Sequence, residues 1–418
     1  MTTALSQNSR AILLLTAPLA FPGETSVEAE PLSGDEYSLL ATWLLEMKKS
    51  PSALLEPGSG AMLRDVADEI DPERIAALLA RGERLGKAVA SWDAAGIRVS
   101  TRADKSYPKA LKSHLREDAP PVVWTFGESE DVLSRKVFSV LGSPSKNKHY
   151  DRIGYDNASL AAFAGFSVAA TGEEGAGSGA LRGALKSQGT AVQVPSKPLA
   201  VLASGEGWKK LAASGRFFLL SGSDPCLGAR TEEEKMANQR LVIALGNAAL
   251  LVNSGSMETP SWLACEEQLG KFETVPLYFA ESAPHQEYME PLFDMGLLEW
   301  PALGGVVDFH QLVAGARKPQ GGTDDTGRTK YREAPPGVEA EVAAERLKAG
   351  DAGGESPERT EYPELEALVF EVRELAIKRG VPARNILSSV IDALISTGKL
   401  DPVVATILEK VSFPQVVS

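Results

Sequence analysis

The sequence predicts an α/β protein with a Rossmann-like, mostly parallel sheet covered by helices on both faces, preceded by a small helical domain and followed by a tethered C-terminal helical domain. Three observations carry that prediction. Short apolar, β-rich runs alternate with helix-period stretches between residues 97 and 280, the rhythm of right-handed βαβ units. Before them, residues 35–96 hold apolar side chains at helical spacing. After residue 316 a segment rich in glycine, proline and charge separates this body from a last helical stretch.

The elements follow in chain order. The apolar run 11–20 is too short to span a bilayer. Arg10 precedes it in the manner of a signal peptide, but Pro18 and Pro22 interrupt the pattern. A buried first helix in a cytoplasmic protein is the expectation, with no membrane partner. Tyr37, Leu40 and Leu44 mark one helical face, and Ile75, Leu78, Leu85 and Trp92 mark others. Pro51, Pro57 and Gly58 separate these short helices. Residues 1–96 therefore read as a helical module of the SAM or helix-hairpin-helix kind, and the lack of a basic hairpin favours packing over DNA reading.

Strands are expected over residues 97–100, 122–126, 137–142, 166–170, 190–194, 216–221, 249–253 and 273–279. Helices are expected over 157–164, 180–187, 232–245 and 262–269. Together these give an α/β domain over residues 97–315, in which ligands belong outside the carboxyl ends of the strands. Residues 316–362 read as a flexible linker with a transient helix over 338–348, and residues 363–418 as a helical interaction or oligomerisation module.

Composition narrows the function classes. The chain has 418 residues, is 43% hydrophobic and carries a formal net charge of -13. The summed field repels a polyanion, so any nucleic-acid site must be a local basic patch. Cys226 and Cys265 stand far apart among only four histidines, which indicates neither a disulfide framework nor zinc. No nucleophile elbow is present. Glu173 and Glu174 are adjacent on one loop, where side chains usually diverge, and make a poor acid and base pair. The chain reads as a binding protein with no cofactor rather than an enzyme.

Several segments, in their order, carry a resemblance. They are Ala11-Ile-Leu-Leu-Leu-Thr-Ala-Pro-Leu19, Gly96-Ile-Arg-Val-Ser-Thr-Arg-Ala-Asp104 with Tyr107-Pro108, and Val140-Leu-Gly-Ser143. Gly183-Ala-Leu-Lys-Ser-Gln-Gly-Thr190, Met236-Ala-Asn-Gln-Arg240 and Ser261-Trp262 follow. From about residue 11 to residue 301 this order resembles the DNA-processing A (DprA/Smf) family. The resemblance implies a single-stranded DNA binder, active in natural transformation or recombination, that delivers strands to a recombinase or other protein partner and forms homo-oligomers.

In such a protein the turns after the strands hold phosphate through backbone N–H groups, helix N-termini and arginines. The corresponding residues here are Gly142 and Ser143 after one strand, Gly172, Gly175 and Gly177 in the glycine-rich loop, and Ser254 after another. Lys146, Lys148, Arg182, Asn238, Gln239 and Arg240 complete the candidate DNA and phosphate site. Three features depart from the family pattern. Pro144 stands where an arginine is expected, Glu173 and Glu174 enter the glycine loop, and Asn238 and Gln239 precede the surviving Arg240. The alternative reading is therefore a scaffold or nucleotide-ligand sensor of the same descent that has lost DNA binding and works through protein partners.

Overall fold

In the computed structural model, which describes residues 5–22, 29–59, 70–127, 133, 135–280, 287–301 and 306–315, the described residues form a nine-stranded sheet. The strands are β1 (Ile97–Thr101), β2 (Val122–Phe126), β3 (Val137–Leu141), β4 (Ser167–Ala170) and β5 (Thr190–Gln193). They continue with β6 (Phe217–Ser221), β7 (Ala248–Leu251), β8 (Leu277–Phe279) and β9 (Leu298–Glu299). Their spatial order is β1-β2-β6-β5-β4-β3-β7-β8-β9. Strands β3 to β9 run parallel, and β2 is antiparallel to both neighbours, so the sheet is mostly parallel. The chain enters this parallel body at its centre, lays β4, β5 and β6 on one side, then crosses to lay β7, β8 and β9 on the other. That reversal opens a crevice at the carboxyl end of β3, the topological switch point.

Both faces of the sheet are covered, which is why its central strands are buried at every position. Alternate residues feed separate cores. Phe138, Val140, Phe217 and Leu219 pack with Ile12, Leu14 and Leu40 of the N-terminal helices. Val137, Leu141, Phe218 and Leu220 pack on the opposite face with Leu111, Val242 and Cys265. The period of two between Phe217 and Phe218 sends each ring to a different face, and both are core residues, as their apolar strand implied.

Helix α1 (Gln7–Thr16) is the apolar run, buried from Ala11 to Leu15. Ser6 caps its start by accepting the Ser9 N–H at 3.0 Å. At its other end the buried Arg81 guanidinium donates to the carbonyls of Leu14 and Ala17, supplying charge and donors where the helix has none. Helix α2 (Gly34–Glu46) opens with a capping box between Ser33 and Glu36, and α3 (Pro72–Leu79) and α4 (Gly82–Ala94) complete the N-terminal layer. Among the described residues no helix is long and apolar enough to cross a membrane.

The helices of the α/β body differ from the periodicity in instructive ways. α5 (Lys109–Leu115) follows Tyr107 and Pro108 between the first two strands. α6 (Lys148–Phe163) begins well before residue 157, because Asn147 caps it and close packing tolerates Gly154 inside it. α7 (Ala176–Lys186) lies against it. α8 (Leu199–Ser204) and α9 (Glu206–Ala212) fill the β5 to β6 crossover, where no helix was expected. α10 (Glu232–Leu245) has the expected bounds, set by the Thr231 and Glu234 capping box.

α11 (Pro260–Glu267) passes into a π turn over Gln268–Phe272. Glu273 leaves that turn in the left-handed region, so β8 is short and starts at Leu277 rather than residue 273. α12 (Glu290–Asp294) and α13 (Val306–Gly315) close the body. The linker and C-terminal helices expected beyond residue 316 lie outside the described residues.

Candidate functional site

Three glycines in the loop from β4 to α7 and the first turn of α7 fix the shape of the crevice. Gly172 and Gly175 hold left-handed backbone at φ +78° and +103°, conformations that favour a residue without Cβ. A Cβ at Gly175 would lie 2.8 Å from the Ser145 carbonyl oxygen, and one at Gly177 3.2 Å from the Gly172 nitrogen. The loop is thus folded against itself and against the turn after β3. Ser145 N–H donates to the Glu174 carbonyl at 2.9 Å, joining the two turns directly.

The turn after β3 is bound inward as well. Gly142 is buried, and a Cβ there would meet Asn253 Oδ1 at 2.7 Å. Ser143 N–H donates to the Asn253 carbonyl at 3.0 Å. The Ser143 hydroxyl donates to the Ser254 carbonyl and lies 2.7 Å from Ser261 Oγ. Asn253 Nδ2 returns a bond to the Ser143 carbonyl at 3.1 Å. Ser254 is itself buried, with its hydroxyl on Met289 Sδ at 3.3 Å. An N–H already bonded within the protein is unavailable to a phosphate, so this turn works as a lock between β3 and β7.

The cations divide into two groups. Arg182 on α7 donates to both oxygens of Asp151 on α6, at 2.7 and 2.6 Å. Arg240 on α10 is held by Glu267 on α11 at 2.6 Å. Each guanidinium joins two helices, and its charge is matched locally. Lys146 and Lys148 are exposed at the N-terminus of α6 and form no ion pair among the described residues. Asn238 is buried and donates to the Pro195 carbonyl at 3.2 Å. The expected residues therefore fall into an inward network, two structural ion pairs and a lysine rim.

Among the described residues a cavity of ≈ 60 Å³ lies at the ends of β3, β4 and β5, bordered by the N-termini of α10 and α11. Gln239 reaches it, as do Glu173, Glu232, Lys235, Thr171 and Ser196. Positions 232, 235 and 239 share one face of α10, at helical spacing. That spacing was the available sequence signal for Glu232 and Lys235, which the expected site omits. Glu173 Oε1 accepts from Ser196 Oγ at 2.7 Å, and Lys235 pairs with Glu232 at 2.7 Å. Burial of Ser261 and Trp262 turns the start of α11 inward, and the indole N–H donates to the Tyr288 carbonyl at 3.3 Å.

The cysteines sit at different depths. Cys265 is fully buried on α11, and burial pushes its thiol up to about 12, whereas Cys226 is half-buried. A thiol reagent at pH 8 is expected to modify one cysteine rapidly per native chain and both after unfolding, because only a thiolate reacts. Two fast native thiols would contradict this assignment.

No family model matches the chain, and no curated protein matches it. Solved structures do. DNA processing protein A of Helicobacter pylori matches at 16% identity over 53% of this chain and 97% of its own, with a TM-score of 0.42. The molybdenum cofactor carrier protein of Chlamydomonas reinhardtii matches at 15% identity over 43% of this chain and 98% of its own, at 0.30. DNA processing protein A of Streptococcus pneumoniae matches at 14% identity over 71% of this chain and 95% of its own, with a TM-score of 0.52. With its mostly parallel sheet and its switch point between β3 and β7, the described part of this chain is built on the fold of DNA processing protein A.

Proposed function

We propose that this chain handles single-stranded DNA by binding rather than catalysis, and that the strand lies on the lysine rim outside the strand-end cavity. The observation that carries the reading is the fold likeness, which covers 95% of the S. pneumoniae DNA processing protein A chain. Lys146 and Lys148 support it, because exposed ammonium groups beside a helix N-terminus attract phosphate oxygens. Glu173 and Glu232 repel the same oxygens from the cavity. On this reading the protein works in the cytoplasm in DNA processing or recombination, self-associates, and passes its strand to a recombinase or other protein partner.

Fluorescence anisotropy of a labelled oligothymidine across a salt series tests it. Two phosphate contacts on a single strand give a slope of log affinity against log salt of about -1.4. Reversing both charges, Lys146→Glu with Lys148→Glu, is expected to flatten that slope. A second reading, a scaffold that acts through protein partners, is favoured by the internal pairing of Arg182 and Arg240. Absence of oligonucleotide binding at low salt would leave that reading in its place.

A further inference from the structure

The strand-end cavity holds a polar group with no protein partner. Gln239 is 3% exposed on α10. Its Oε1 is buried and accepts no hydrogen bond among the described residues, although the residue lines the cavity. A buried acceptor left in this state is costly unless something donates to it. Across the same cavity Glu173 uses only Oε1, on Ser196 Oγ, and no partner is found for its second oxygen among the described residues. Two acceptor-bearing residues thus line one small space.

Charge restricts what can donate to them. Lys235 stands in the cavity wall with Glu173 and Glu232 and pairs with Glu232, so an ammonium already faces the carboxylates. A second cation would meet that ammonium, while a phosphate would meet two carboxylates. The phosphate-binding devices are also absent from the adjoining turn. Pro144 has no N–H, and the Ser143 N–H is bonded to the Asn253 carbonyl. What remains is an uncharged donor small enough for one face to enter.

Neighbouring hydroxyls meet these conditions. A carboxylate just past the second parallel strand of a doubly wound sheet is well placed to accept from the hydroxyls of a ribose, and Glu173 lies three residues past Ala170, the last residue of β4. We propose that the strand-end cavity is a site for an uncharged vicinal diol, the exposed edge of a ribonucleoside furanose, with Glu173 and Gln239 accepting from its hydroxyls. This site is separate from the lysine rim, so neither assignment depends on the other.

The full chain carrying Lys146→Glu and Lys148→Glu, which removes the rim's attraction for phosphate and leaves the cavity residues in place, would be titrated at pH 7 with adenosine, 2′-deoxyadenosine, ribose, adenosine monophosphate and inorganic phosphate, with binding read by saturation-transfer NMR. Adenosine is expected to bind, and 2′-deoxyadenosine to bind about tenfold more weakly or worse for loss of one donor to a carboxylate. Adenosine monophosphate is expected to be weaker than adenosine, and inorganic phosphate not to bind. Equal binding of ribose and adenosine would identify a sugar site, and a preference for adenosine a nucleoside site; both support the diol.

Glu173→Gln keeps an acceptor for Ser196 and should abolish the preference for adenosine over 2′-deoxyadenosine. Gln239→Leu should weaken adenosine without lowering the melting temperature, since the amide it removes has no protein partner. Tighter binding of adenosine monophosphate or phosphate than of adenosine would overturn the proposal. So would absence of binding by every diol at millimolar concentration, or unchanged selectivity in Glu173→Gln protein that melts at the wild-type temperature.

Discussion

Replacing Gly179 with alanine is expected to destabilise the fold by about 3 kcal/mol, the upper part of the usual cost of forcing atoms into a packed interior. A Cβ at Gly179 on α7 would overlap the Asp151 backbone of α6, and the same holds for Gly154 against Ala176 and Gly183 against Tyr155. In each case the obstructing atom is a carbonyl oxygen of the facing helix, so no side-chain rotation relieves the contact. The two helices must move apart, and the Arg182 to Asp151 bonds between them would be strained with them. For a domain of this size the loss corresponds to roughly 6–12 °C in thermal midpoint.

Gly86 on α4 and Gly207 on α9 provide the control. Nothing lies within 4 Å of a Cβ at either position. Alanine there is expected to stabilise by about 0.5–1 kcal/mol through the unfolded chain and helix propensity. A Gly179→Ala melt at or above wild type would refute the close helix contact.

Removing the Asp224 carboxylate is expected to cost about 4 kcal/mol, because it would strand several buried backbone donors at once. Asp224 is 1% exposed. Its Oδ1 accepts from Cys226 N–H at 3.0 Å and its Oδ2 from Ala20 N–H at 3.1 Å. It thereby ties the segment after α1 to the loop after β6. Chemical denaturation of Asp224→Ala checks the magnitude, and a loss below 1 kcal/mol would mean that the two segments hold together without it.

The same carboxyl gives a pH signature. Burial raises its pKa above the ordinary value of 3.8, more than the N–H groups of Cys226, Ala20 and Leu19 lower it. The folded chain therefore keeps this proton over a window that opens at 3.8 and closes at the raised folded value. Within that window the folded state binds more protons than the unfolded state, so this group's contribution to stability falls as pH rises and is level above it. Asp224→Asn cannot titrate and should lack the decline. It should also be less stable than wild type throughout, since its amide presents a donor to one of the N–H groups. A wild-type stability difference from Asp224→Asn that stays constant from pH 3 to pH 7 would contradict the raised value.

Much of the architecture was legible in residue patterns. The run Ala11 to Leu15 had to be buried somewhere, and a helix buries it with its backbone bonded internally. The helix expected over residues 232–245 has those bounds in α10, where Thr231 and Glu234 form the capping box that starts it. Where local signals were weak, the pattern misled: α6 begins before its apolar periodicity does, and the end of α11 tightens into a π turn that shortens the next strand.

The candidate site was less legible because its chemistry depends on pairings across long stretches of chain. Arg182 and Arg240 read as free cations in sequence, yet Asp151 and Glu267 match their charge. Ser143 and Ser254 read as phosphate-binding turns, yet they bond inward to Asn253, Ser261 and Met289. Hydrophobic period and capping act within a few residues, so the sequence by itself determined the alternation of strands and helices and hence the layered α/β body. Which donors and charges remain unmatched at the strand ends was decided only by the tertiary structure, because a hydrogen bond or ion pair between elements exists only once the fold brings its two ends within about 3 Å.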